Sequence, residues 1–100
     1  MKKVVALQLH SDDDVATLLM DAEPGNIVCV RGKDGQLKKT IALINRIPKG
    51  HKIAVREIRS GHMIKKYGEI IGIAKGLIQK GALVDINNLE SQRGRGDQIE

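Results

Sequence analysis

Val5, Leu7 and Leu9 alternate with Ala6 and Gln8, a period of two that predicts a first strand over residues 3–9 with one strongly apolar face. His10 ends that pattern and the spacing changes. Ser11 is placed to cap a helix, with Asp14 three residues on. Asp12 to Asp14 suit the positive end of a helix dipole, and Val15, Leu18 and Leu19 fall at i, i+3 and i+4. One short helix is expected over residues 12–20. Beyond it, residues 26–31 and 37–44 read as strands joined through Lys33-Asp34-Gly35-Gln36, a hairpin.

The second half is punctuated by a spaced pattern, apolar-x-x-Gly-x-x-apolar. It runs from Ile47 to Ile53 about Gly50, from Ile58 to Ile64 about Gly61 and from Ile78 to Val84 about Gly81. A looser copy runs from Ala22 to Val28 about Gly25. Glycine supplies the positive φ that a tight turn needs, while the flanking apolar residues anchor both ends in a core. Four such corners predict short strands that bend and double back, a mostly β, loop-rich fold. Residues 91–100 carry no apolar periodicity and read as a polar tail or linker remnant, which leaves residues 1–90 as one domain.

Composition agrees with this picture: 13 Ile and 7 Val outnumber 9 Leu, and β-branched side chains fit a pleated surface. No apolar run approaches the roughly 20 residues needed to cross a bilayer, and the Lys2-Lys3 start leads into a strand pattern with no leader core. Cys29 is the lone cysteine and sits among Ile27, Val28 and Val30, where a small thiol packs. A cytoplasmic protein without a membrane partner is expected.

The net charge of +5 is unevenly distributed. Residues 11–23 hold five acids and no base, whereas residues 38–66 hold nine bases against Glu57 alone. A basic segment attracts nucleic acid, an acidic protein face or a small anion, or simply makes a solvated face. Nucleic acid is set aside, because single-strand binders stack bases on aromatic rings and Tyr67 is the only ring of that kind here. His10, His51 and His62 do not pair at metal-ligand spacing, so no complete metal site is expected from this chain alone. Tyr67, in Lys65-Lys66-Tyr67-Gly68, reads in two ways: a ring that packs its body and leaves its hydroxyl wet, or a donor that converges with Lys66, His51 and Lys52 on one carboxylate.

Three blocks carry a resemblance: Gly50-His51-Lys52-Ile53-Ala54, then Lys66-Tyr67-Gly68-Glu69-Ile70-Ile71-Gly72-Ile73-Ala74, then Asn88-Leu89-Glu90 followed by Arg93-Gly94-Arg95-Gly96-Asp97. Together with Leu9-His10-Ser11-Asp12-Asp13, they resemble the SAF domain of the altronate and galactarate dehydratase family, which includes the small subunit of sulfolactate sulfo-lyase. The resemblance implies a β-clip fold. It also implies a small lyase subunit that helps a separate large catalytic subunit form a site for an anionic, sugar-acid-type substrate. The cofactor, a divalent metal with iron as one candidate, is expected in that large chain and none in this one. Under this reading His51 and then His10 are the catalytic candidates, and Lys52, Lys66, Tyr67 and Asn88 bind substrate. Relatives typically carry a Val-His-Val-His-Asn run where this chain reads Val84-Asp85-Ile86-Asn87-Asn88, so both imidazoles are replaced. The alternative is a binding or assembly module of the same fold with no catalytic role.

Overall fold

The structure, a computed structural model, describes residues 3–91. Among these residues the regular elements are strands: β1 (Val4–Leu7), β2 (Val15–Leu18), β3 (Ile27–Arg31), β4 (Leu37–Ala42), β5 (Lys52–Ala54), β6 (Met63–Lys66), β7 (Glu69–Ala74), β8 (Leu83–Val84) and β9 (Leu89–Ser91). They form one sheet in the order β4-β3-β1-β2-β5-β8 and a second in the order β6-β7-β9. Only the β1–β3 pair is parallel; the others are antiparallel. No helix among the described residues is long and apolar enough to cross a membrane. Residues 92–100, which hold nearly all of the expected tail, lie outside the described part, and Ser91 closes β9.

Each of the four glycine corners is a turn closed by a hydrogen bond: Glu23 to Asn26, Pro48 to His51, Arg59 to His62 and Gln79 to Ala82, with N–H to oxygen distances of 3.0–3.1 Å. The glycine in the third position has φ between +84° and +93° in all four, as a type II turn requires. The corners also associate in pairs. Ala22 and Ile47 exchange backbone hydrogen bonds, as do Ile58 and Ile78, and all four side chains are buried. The first pair closes a core of Val4, Ala6, Ala16, Leu18, Val28, Val30, Ile41, Leu43, Ile53 and Val55, and the second closes a core of Val15, Ala54, Ile64, Ala74 and Val84.

The two cores share β2 and β5. Along β2, Val15 enters the second core while Ala16 and Leu18 enter the first; along β5, Ile53 enters the first and Ala54 the second. A strand buried on both faces loses its polar alternation. That is why Val15 and Leu18 imitate a helical stripe, which the exposed Leu19 only extends by its spacing, and why the helix expected over residues 12–20 is instead a turn followed by a strand. The backbone confirms the correction: Leu18 N–H donates to His51 O rather than to Asp14 O, and Asp14 O accepts from Val55 N–H. The first strand also presents the face opposite to the one expected. Val4, Ala6 and Gln8 point inward, and Leu9 is exposed.

Asp12 to Asp14 do not serve a helix dipole. Asp13 is 1% exposed, and its two carboxylate oxygens accept the backbone N–H groups of Tyr67 and Gly68, both at 2.8 Å. Both residues have positive φ, +56° and +77°, the geometry of a type I′ hairpin turn between β6 and β7. Asp14 Oδ2 accepts from Lys65 N–H at 2.8 Å, and Asp14 N–H donates to Lys65 O. These bonds tie the smaller sheet to β2.

Two stability outcomes follow. Asp13→Asn replaces one of two acceptors with a donor facing an N–H, and denaturant unfolding should register a loss of about 2–4 kcal/mol. Gly81→Ala drives a Cβ into the Ala42 carbonyl oxygen, whereas Gly61→Ala meets nothing within 4 Å. The first should cost at least about 3 kcal/mol and the second only the backbone strain of about 1–2 kcal/mol, so equal losses would contradict the packing at Gly81.

Candidate functional site

A cleft of about 700 Å³ is lined by Gly50, His51 and Lys52 from the second corner and β5, by Lys66 and Ile71 from the β6–β7 hairpin, and by Val84 to Asn87 and Leu89. Three chain segments distant in sequence therefore meet there. The Gly50 turn delivers His51 to the rim and Lys52 into β5, where it pairs with Thr17 and Val84. The Asp13-held turn fixes the end of β6 and with it Lys66. The third wall is built by reciprocal side-chain bonds. Asp85 N–H donates to Asn88 Oδ1 at 2.9 Å, Asn87 N–H donates to Asp85 Oδ1 at 2.9 Å, and Asn88 Nδ2 donates to Leu83 O at 2.8 Å.

Of the residues expected to form a site, His51, Lys52 and Lys66 line this cleft, and His10, Tyr67 and Asn88 do not. His10 packs its ring against Gly68 and accepts a hydrogen bond from Asp12 N–H on Nδ1 at 3.1 Å. The Tyr67 ring is exposed and lies 4.8 Å from Lys66 Nζ, a cation–π contact that holds the ammonium near the cleft mouth. Asn88 braces the 83–88 loop with both ends of its amide. Asp85 and Asn87, where the resemblance implies histidines, line the cleft themselves. Their signal in the sequence was the Val-His-Val-His-Asn departure; Ile71, Ile86 and Leu89 carried none.

The electrostatics come from burial. The Lys52 ammonium titrates below the ordinary lysine value of 10.5, first because it is partly desolvated and then because Lys66 is nearby, with Asp85 opposing both. Neither Lys52 nor Lys66 forms a direct ion pair among the described residues. Elsewhere in the basic segment three side chains meet acids or backbone: Arg46 pairs with Glu23 at 3.1 Å, Arg56 lies 3.7 Å from Asp14, and Lys39 donates to Val55 O. His51 Nδ1 lies 3.3 Å from Lys49 O; a carbonyl only accepts, so the contact favours the proton on Nδ1 and leaves Nε2 free to take one. No three His, Cys, Asp or Glu side chains among the described residues stand close enough to hold a metal ion, so these residues do not fit one.

Comparison with known proteins gives a consistent answer. The family model for the altronate/galactarate dehydratase SAF domain matches residues 4–92. Galactarate dehydratase (L-threo-forming) of Escherichia coli is 35% identical over 79 residues, covering 79% of this chain and 14% of the relative. Altronate dehydratase of Escherichia coli is 34% identical over 92 residues, covering 92% and 17%, and that of Bacillus subtilis is 29% identical over 85 residues, covering 85% and 16%. The chain thus spans only 14–17% of the length of these relatives.

An uncompensated, half-buried ammonium opposes folding. Because the folded Lys52 loses its proton at lower pH than the unfolded one, the unfolded chain holds more protons just below pH 10.5, and stability rises with pH there. Lys52→Met, which keeps the aliphatic stem, should leave the thermal midpoint unchanged or raised near neutrality and flatten that alkaline rise. A lowered midpoint would show that the ammonium contributes to the fold.

Proposed function

From its place in the altronate and galactarate dehydratase SAF-domain family, to which the chain belongs, we propose that it is the small subunit of a hydro-lyase acting on an acidic hydroxy compound. It supplies part of the substrate site, and a separate, large, metal-dependent chain supplies the rest; the compartment is the cytoplasm. The observation that carries the reading is the cleft in which His51, Lys52 and Lys66 converge without an ion-pair partner among the described residues. Ile86, 82% exposed on the cleft wall, is an apolar side chain suited to contact with that larger chain.

Dehydration next to a carboxylate needs a base for the α-proton, an electrophile for the leaving hydroxyl, and donors for the charge that develops on the enolate. A divalent metal, when bound by the large chain, supplies the electrophile. In this chain, the ammonium groups of Lys52 and Lys66 hold the carboxylate and gain strength as charge builds on it. The free Nε2 of His51 takes a proton at the rim. Ile71, Val84 and Leu89 exclude water from one face of the carbon chain. The second reading, a binding or assembly module without a catalytic role, draws on the match to only 14–17% of the length of the dehydratase relatives.

Affinity purification of the tagged chain from its native cells should bring down a larger metal-bearing chain, with lyase activity present in the pair and absent from either alone. Turnover by the isolated chain, or its recovery without such a partner, would refute the subunit reading. In the active pair, Lys52→Met and Lys66→Met should each raise KM about tenfold and weaken its salt dependence, with kcat changed less. Unchanged kinetics would remove these lysines from the site.

A further inference from the structure

The formally charged groups lining the cleft are Lys52, Lys66 and Asp85, two positive and one negative, a net of one positive charge. Asp85 is not a loose surface acid. Its Oδ1 accepts the Asn87 backbone N–H at 2.9 Å, its Oδ2 accepts the Asn87 side-chain amide at 3.3 Å, and its own N–H is held by Asn88 Oδ1. A carboxylate has about four lone-pair sites. Two are used by these bonds, so a hydroxyl donor has a fixed acceptor on this wall.

A ligand with one carboxylate balances the cleft when that group lies between the two ammonium groups. A ligand with a carboxylate at each end leaves the cleft with negative charge in excess beside Asp85, and like charges brought together without a counterion are strongly selected against. Ile71, Val84 and Leu89 add apolar surface to the same lining, suited to the C–H face of a short carbon chain. We infer that the cleft takes a monoanionic hydroxy acid, its carboxylate at Lys52 and Lys66 and a hydroxyl donating to Asp85, and that Asp85 is the residue that turns dicarboxylates away. The inference rests on reading the cleft as a substrate site and adds the charge class of the substrate.

Gluconate and galactarate are six-carbon probes that differ in bearing one or two carboxylates. Each is titrated at low ionic strength into the isotope-labelled full chain, following the backbone amide resonances of Lys52, Lys66, Asp85 and Asn87. Gluconate should move these resonances and bind about tenfold more tightly than galactarate. Asp85→Asn keeps the Oδ1 that Asn87 N–H requires, and it should narrow the gap to about twofold or reverse it. Galactarate binding as tightly as gluconate, a gap that Asp85→Asn leaves intact, or no movement with either probe overturns the inference. The wild-type preference is itself decisive, so the test survives a variant that folds poorly. A chain that prefers gluconate yet never accompanies a lyase subunit would sink the functional reading alone. An active pair that consumes dicarboxylates with Asp85 intact would sink only this one.

Discussion

The buried Asp13 carboxylate is the constraint on which the rest of the molecule depends. A desolvated carboxylate is costly unless each oxygen is matched, and here both are matched by the two N–H groups of a hairpin turn that a non-glycine residue makes unfavourable. Tyr67 in the left-handed region costs about 1 kcal/mol or more, and two charge-assisted hydrogen bonds offset that strain. The same side chain therefore fixes the hairpin, its connection to β2 and the end of β6 that carries Lys66. Gln8 and Arg56 donate to the Asp13 carbonyl, so the clamp is itself held from two sides.

The acidic and basic blocks of the sequence find each other in the fold, mainly through the backbone. Asp13 and Asp14 accept N–H groups from residues 65–68, Asp21 accepts that of Lys49, and Glu23 and Asp14 meet arginine side chains. Acids thus organise the basic segment without neutralising it at the cleft. Lys52 keeps its charge where desolvation and the nearby Lys66 oppose it, the pattern expected where binding an anion matters more than stability.

The glycine corners were legible because a turn with positive φ leaves a local signature, and Gly25, Gly50, Gly61 and Gly81 all adopt it. The β3–β4 hairpin was legible for the same reason. What misled was burial on both sides: Val15 and Leu18 read as one helical face because each faces a different core. Asp12 to Asp14 compounded the error, since acids that cap a helix and acids that accept from a distant hairpin are written alike. In the cleft, proximity of His51 and Lys66 was suggested by donor chemistry, but the wall formed by Asp85 depends on a loop folded through Asn88, which no local period reveals.

The shared β2–β5 partition has a further consequence for dynamics. Local opening is easiest where few buried contacts are lost, and a strand common to two cores cannot leave one without exposing the other. Lys52 stands on β5, and Asp14, just ahead of β2, holds Lys65 beside Lys66, so two of the three cleft walls are anchored to strands that neither core can release alone. A ligand arriving there meets a preorganised frame, whose third wall is braced by the Asp85 and Asn88 side chains.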